Sequence, residues 1–328
     1  MITKPEKLDP ATLGKAAAAL KRVAADPRCR EAFRTSLLPR ELFSTAAGRY
    51  VVAAGRDDLV ERLSLLMCMG YRVSAEHVGE EAEDLAQIRG VVDEYLALFD
   101  TAGRITRPEP IQIGFDLTNV GLLRSKRLAK DHTSTLLTAA AAHGITIVIS
   151  MERARFVDDI LDVFKDLAEA HENVGITVQA HLHRTDVDLP DIIKTERKIR
   201  LVKGVYREPA DVAVPPGPRV TARYLRFLEQ ALDAEAKVAL GTHDGGLLAT
   251  VRERGLLAGA EEIEMLHGVR PELLKAYRAA GVPCRVYAVY GDNWWLHFLH
   301  RLAERPQRVL TALADLEDPG RVVFGSAY

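Results

Sequence analysis

The sequence is short of several things, and each shortage removes a class of protein. Its three cysteines, Cys29, Cys68 and Cys284, form no Cys-x-x-Cys pair. An odd, scattered set excludes a disulfide framework and a zinc ribbon, and it suits a reducing compartment. Neither charge is in excess: 44 Lys and Arg stand against 46 Asp and Glu, a formal net charge of −2. That balance gives no pull toward nucleic acid or an anionic membrane, so any basic site has to be local. The longest apolar run, residues 136–150, is interrupted by His143 and Gly144 and falls short of the ~20 residues a spanning helix needs. Residues 1–10 are charged and lack the apolar centre of a secretory signal. A cytoplasmic protein without a transmembrane segment is expected, with peripheral membrane contact left open.

No Gly-x-Gly-x-x-Gly follows any β-rich run, so the usual dinucleotide fingerprint of a doubly wound sheet is missing. Nor is there a period of self-similarity that would make a solenoid. What the chain does have is alternation. From Gly70 onward, β-rich runs at 70–77, 111–117, 145–151, 176–182, 199–204, 237–242, 261–266 and 284–290 alternate with helical periodicity at 80–98, 134–142, 154–171, 222–232, 247–254, 271–279 and 294–304. The connection 185–197 carries the weakest helical pattern. Alternation of this kind marks parallel βα units, and eight of them close a barrel. The expected fold class is α/β, a (βα)8 TIM-type barrel with an N-terminal helical extension. The expected division is a helical segment over 1–65, the barrel over 66–305 and a tail over 306–328.

Barrel enzymes gather their chemistry at the C-terminal ends of the strands, where the βα loops surround one cavity. Those ends here read Glu76 and His77, Asp116, Glu152, Gln179 with His181, Arg200 with Lys203, Thr242-His243-Asp244, Glu264 with His267, and Tyr287 with Tyr290. Polar βα loops explain part of this series. They do not explain Arg200 and Lys203, because Ile199, Leu201 and Val202 mark that run as buried and a buried cation needs an anionic partner. The last helix adds a polar stripe, His297, His300, Arg301 and Glu304, opposite an apolar face of Trp295, Phe298, Leu299 and Leu302.

In order and spacing these segments resemble the flavin-binding barrel of the proline dehydrogenase family. Ile199-Arg200-Leu201-Val202-Lys203-Gly204-Val205-Tyr206 is similar to that family's fifth-strand motif and Val178-Gln179-Ala180 to its fourth. Thr242-His243-Asp244 resembles a sixth-strand Thr-His-Asn, and Glu264-Met265-Leu266-His267-Gly268 a seventh-strand Gln-x-Leu-x-Gly. Val286 to Gly291 resembles the eighth strand, and Arg301 to Pro306 completes the series. The resemblance implies FAD across the barrel mouth, with Arg200 near the flavin's reactive nitrogen and Gln179, Lys203 and Gly204 along the ring and its chain. It implies Thr242, His243 and Asp244 at the ribityl, phosphate or adenine portion, Glu264 and Leu266 on the cofactor side, and Glu304 orienting the closing helix. Fixed cations and donors suit a flavin that gains negative charge on accepting hydride.

The substrate end departs from the family. Where the family has Tyr-x-x-Arg-Arg, this chain has His297-Phe298-Leu299-His300-Arg301, so one arginine of the carboxylate clamp becomes an imidazole. A family lysine aligns with Asp116 and a family aspartate with Ser150, while Tyr206 and Tyr287 keep the aromatic walls. The expected activity is therefore oxidation of a C–N bond in a secondary amine or a proline-like, N-substituted amino acid, giving an imine. Arg200, Asp116, Tyr206, Tyr287, His297, His300 and Arg301 form the catalytic set, and quinone or oxygen accepts the electrons. Three other readings stay open: L-proline oxidation to pyrroline-5-carboxylate, a metal-dependent hydrolase using His181-x-His183, and a non-catalytic relative.

Overall fold

Along the strands one alternating set of residues is apolar and faces the helices, while the other is mostly polar or glycine with a few small apolar residues such as Val148 and Ala239. The computed structural model describes residues 9–79, 81–105 and 109–328. Most of the charged N-terminal stretch, residues 1–8, lies outside the described residues. The strands are β1 (Arg72–His77), β2 (Gln112–Phe115), β3 (Thr146–Ile149), β4 (Val174–Gln179), β5 (Lys198–Val202), β6 (Val238–Gly241), β7 (Glu262–Leu266) and β8 (Cys284–Tyr290). They form a closed barrel in sequence order, and every pairing is parallel. β4 and β5 start earlier than the sequence suggests, so Gln179 and Val202 end their strands and Lys203 and Gly204 fall in the following loop.

The outward set, which includes Val73, Ile113, Ile147, Ile176, Leu201 and Val286, joins one continuous core with the helices. Truncating a buried Leu or Ile there costs about 2–5 kcal/mol. The inward set is polar and its contacts cross the barrel. Glu262 of β7 meets Arg285 of β8 at 2.7 Å and Arg72 of β1 at 3.2 Å, and Lys198 of β5 also donates to it. Higher up, Glu264 takes Arg200 at 3.2 Å, with Gln112 and Ser74 beside it. Barrel interiors are usually filled by branched apolar side chains. This one is filled by ion pairs and amides, so each buried charge depends on its partners.

Before the barrel come α1 (Pro10–Ala25), α2 (Pro27–Thr35), α3 (Leu37–Ala47) and α4 (Arg56–Cys68). Asp9 caps α1 by accepting from the N–H groups of Ala11 at 2.8 Å and Thr12 at 3.0 Å, with Pro10 opening the helix. Leu59, Leu63 and Leu66 of α4 enter the main core. The connecting helices are α5 (Leu85–Gly103), α6 (Lys126–Ala142), α7 (Val157–Ala170), α8 (Thr185–Ile193), α9 (Pro218–Asp233), α10 (Gly245–Glu253), α11 (Pro271–Ala279) and α12 (Trp295–Glu304), and α13 (Arg308–Glu317) follows.

Several helix boundaries differ from the sequence reading, two of the starts by five residues or more for local reasons. The helix expected from residue 80 begins at Leu85 because Asp84 caps it, and Glu80 itself is outside the described residues. α6 begins at Lys126, eight residues before the expected start, because the Ser125 hydroxyl accepts from Leu128 N–H at 3.1 Å. Its polar first turns had hidden it. The weak 185–197 pattern becomes the short α8, which carries Pro190 inside it.

Candidate active site

Arg200 projects from β5 into the upper barrel and is 7% exposed. Its Nε donates to the Thr177 hydroxyl at 2.9 Å, one Nη to Glu264 at 3.2 Å and the other to the Ser150 hydroxyl at 3.1 Å. The guanidinium carbon lies 4.8 Å from the ring centre of Tyr287. Burial works against the charge, but Tyr287, Glu264 and Glu76 together hold Arg200 above the ordinary arginine value. Gly114 of β2 makes room for this arrangement, since a β-carbon there would lie 2.1 Å from the Tyr287 hydroxyl. Tyr287 in turn donates to Glu76 at the end of β1.

Around Arg200 the strand ends supply acids. Glu152 accepts from the Thr118 N–H at 3.1 Å and hydroxyl at 2.6 Å. Burial outweighs those bonds and pushes its carboxyl up to about 7. Glu76 and Asp116 are also raised, each chiefly by burial, yet both keep some accessible surface. Both stand at the C-terminal ends of β1 and β2, around the hollow that the βα loops surround at the barrel mouth. Tyr206, in the loop after β5, stands near Asp116 and Glu152 and has the Arg153 guanidinium 5.2 Å from its ring centre.

Much of the polar stripe of α12 is covered: Arg301 is buried and His297 and His300 are half-buried, while Glu304 at the helix end is exposed. Phe298, Leu299 and Leu302 pack with Phe33, Tyr50 and Val51 in a second apolar cluster. Arg301 is buried close enough to Glu76 and His243 to influence both. It pairs with Glu304 at 2.7 Å, while its Nε has no partner. Burial and Arg301 lower His300 to about 4 and drive His297 well below the imidazole range, so both rings are neutral at pH 7.

The residues expected on the cofactor side form a second group. Gln179 donates through its amide nitrogen to the carbonyls of Met151 at 3.0 Å and Glu152 at 2.8 Å, which leaves its buried Oε1 without a partner. Lys203 reaches Thr221 at 2.9 Å and Asp244 at 2.6 Å. Gly204 has φ +104, and a β-carbon there would strike the His181 ring at 1.8 Å. Thr242 accepts from Asp244 N–H at 3.1 Å, and Asp244 caps α10. His243 accepts the Leu266 N–H on Nε2 at 2.9 Å, which fixes its proton on Nδ1. Glu304 holds Arg301 and, at 3.3 Å, Arg308.

The two histidines considered as a metal pair diverge, which corrects the sequence reading. His181 is 5% exposed and packs under Gly204, whereas His183 is exposed and its Nε2 lies 3.0 Å from the carbonyl of Ala210. The chain turns at 180–181 after β4 ends, so the strand geometry that would align i and i+2 is lost. Among the described residues, no group of three or more His, Cys, Asp or Glu is arranged to hold a metal ion. Sequence reasoning missed Thr177 and Thr118 as braces. Thr177 was findable, two residues before Gln179 on the same strand face; Thr118 sits in a loop turn without periodicity.

A family model described as proline dehydrogenase matches residues 59–305. Proline dehydrogenase 2 of Bacillus subtilis (strain 168) is 29% identical over 276 residues, 83% of this chain and 90% of that relative. Proline dehydrogenase of Deinococcus radiodurans is 28% identical over 279 residues, 82% of this chain and 89% of that one. Among solved structures, proline utilization A from Bdellovibrio bacteriovorus, inactivated by N-propargylglycine, superimposes with TM-score 0.74 at 16% identity. A variant of proline utilization A from Bradyrhizobium japonicum gives 0.69 at 20% identity. These cover 95% and 96% of this chain but only 39% and 41% of the longer chains, so the present chain spans about two fifths of their length and the likeness shows the fold alone. The sequence match runs from within α4 to the residue after α12 and takes in every strand that supplies the hollow, and on that ground the chain belongs to the proline dehydrogenase family.

Proposed function

We propose that the chain is an FAD-dependent oxidoreductase that oxidises the CH–NH group of a secondary amine or a proline-like, N-substituted amino acid to an imine. The observation that carries this reading is Arg200, a cation enclosed at the barrel mouth and braced from β3, β4 and β7. Such a fixed cation stabilises negative charge that develops beside it without reorganising.

The residues present fit a flavin. The unpartnered Gln179 Oε1 is an acceptor that suits a ring N–H, and the Lys203 ammonium suits a phosphate or ring carbonyl. Gly204 presents bare backbone where any side chain would collide with His181. Gln179, Arg200, Lys203 and Gly204 would hold the cofactor directly, together with Thr242 and Asp244. His243, Leu266, Glu264 and Glu304 would act mainly by fixing those groups and α12. When bound, FAD supplies a two-electron acceptor for hydride.

At the substrate end the acids favour a cation, because carboxyls pushed toward their protonated form by burial ionise when a cation arrives beside them. Glu76, Asp116 and Glu152 face the hollow, His297 and His300 are neutral there, and Arg301 is already engaged by Glu304. Tyr206 and Tyr287 would wall the substrate. L-proline itself is the second reading, favoured by the names of the curated relatives and by Arg301 within reach of the hollow. No described helix is long and apolar enough to cross a membrane. We place the protein in the cytoplasm, with the barrel over 66–305 as the catalytic unit and quinone or oxygen as the final acceptor. The test is the visible spectrum of purified protein: a flavin spectrum whose chromophore is released as FAD on denaturation supports the reading. A colourless protein that cannot be reconstituted with FAD overturns it.

A further inference from the structure

We propose that Asp116 receives the substrate as an ammonium ion and takes its proton, which makes the hollow selective for cationic amines. This deepens the amine-oxidation reading above and rests on it.

Four carboxyls stand in the upper barrel, and three of them have donors. Tyr287 donates to Glu76, Thr118 donates twice to Glu152, and Arg200 with Gln112 donates to Glu264. The Asp116 side chain makes no hydrogen bond and no ion pair among the described residues, although it heads the short helical turn Leu117–Val120 where a capping bond was available. It nevertheless keeps accessible surface inside the hollow. On the same inward face of β2, Gln112 is 1% exposed and its Oε1 also lacks a partner. Asp116 is therefore open to a ligand at the end of β2, with no protein donor or cation holding its carboxyl.

The groups facing Asp116 come from several elements. Glu76 ends β1, Glu81 lies in the loop after it, Glu152 follows β3, Arg200 lies on β5 and Tyr206 in the loop beyond. Arg155 pairs Glu81 at 3.2 Å, Arg153 stacks on Tyr206 and Arg200 is committed to Glu264, which leaves Asp116 beside Glu76 and Glu152 with no cation of its own. Burial first, then Glu152 and Glu76, raise the Asp116 carboxyl well above its ordinary range, with Arg200 opposing. An acid so placed loses its proton to solvent when a cation arrives beside it, and it can then accept one from an ammonium.

The proton step balances within the complex. The ammonium N–H bond breaks, its electron pair stays on nitrogen as a lone pair, and an O–H bond forms on the Asp116 carboxylate. No electrons leave the substrate in this step. The lone pair is what the neighbouring carbon needs before it can give up hydride.

The experiment uses N,N-dimethylpyrrolidinium, a cation with no transferable proton, titrated calorimetrically into the purified protein near neutral pH in two buffers of different ionisation heat. Any proton released then comes from the protein. Wild type is expected to release a proton on binding, up to about one per site. Asp116→Asn, close in size and shape, is expected to bind about tenfold or more weakly and to release little. Failure of wild type to bind, or equal affinity and equal proton release in Asp116→Asn, would overturn the proposal. Asp116-dependent release in a protein that holds no flavin would support the Asp116 assignment while contradicting the cofactor reading.

Discussion

Asp244 holds Lys203 at 2.6 Å through one carboxylate oxygen while its other oxygen caps α10, accepting from Gly246 and Leu247. Where the motif that this segment resembles has an asparagine, this chain thus has a cap that also occupies a cation. Asn and Asp cap helices about equally well, so the difference falls on Lys203.

Asp244→Asn should therefore leave thermal stability nearly unchanged and free Lys203 for an anionic ligand. FAD affinity, measured by flavin fluorescence titration, should rise several-fold. A fall in affinity would mean that a contact made by the Asp244 carboxylate to the cofactor outweighs the freed lysine.

Arg200→Ala should slow flavin reduction by ~10²–10³, the usual loss when one preorganised donor is removed. Glu264 keeps Gln112 and Ser74 as partners, so the barrel should stay folded by circular dichroism. Unchanged reduction kinetics in a folded variant would place Arg200 away from the chemistry.

At the lower end of the barrel, Glu262 neutralises Arg285 and Lys198 and is held at about 2 against its burial. Its folded pKa lies below the unfolded value. The stability it contributes is present above the ordinary Glu range and is lost as pH falls through about 2. Glu262→Gln leaves the buried Arg285 without an acid, although Lys198 keeps Glu261 and Arg72 keeps Glu109, and should cost about 3–5 kcal/mol at neutral pH. Denaturant melts would show it; a cost under about 1 kcal/mol would mean that water already screens the group.

Glu152 behaves in the opposite sense. Its folded pKa, about 7, lies above the unfolded value, so the stability linked to its protonated form is full at low pH and disappears as pH rises through about 7. Glu152→Gln should match wild type in melting temperature near pH ~4, exceed it increasingly up to about pH 7, and keep a constant lead above that. Parallel melting curves across that range would show that Glu152 stays ionised in the fold.

The barrel was legible because period-two alternation and βα spacing survive in the sequence, and Arg200 stood out as a cation inside an apolar run. Its partners were not legible. Glu264, Thr177 and Ser150 lie 64, 23 and 50 residues from Arg200 in sequence and meet it only through barrel closure. The stripe His297, His300, Arg301 and Glu304 was visible as a stripe, but only packing against the N-terminal helices shows that its opposite face is already used. The divergence of His181 and His183 depends on where β4 ends, a boundary that side-chain pattern does not mark.

The central claim is that a flavin-family barrel has exchanged its carboxylate clamp for an acidic, cation-receiving hollow. Anaerobic reduction of the bound flavin tests it most directly, with L-proline, N-methylglycine and the carboxylate-free amine pyrrolidine compared at equal concentration and followed by bleaching of the visible flavin band. Proline's carboxylate would enter beside Asp116, Glu76 and Glu152 with one engaged arginine for a partner, and a desolvated ion left so poorly paired costs several kcal/mol. The expected result is faster bleaching by pyrrolidine than by L-proline or N-methylglycine, both of which bring a carboxylate into the hollow. Fastest bleaching by L-proline, or no bleaching by any of the three, would contradict it.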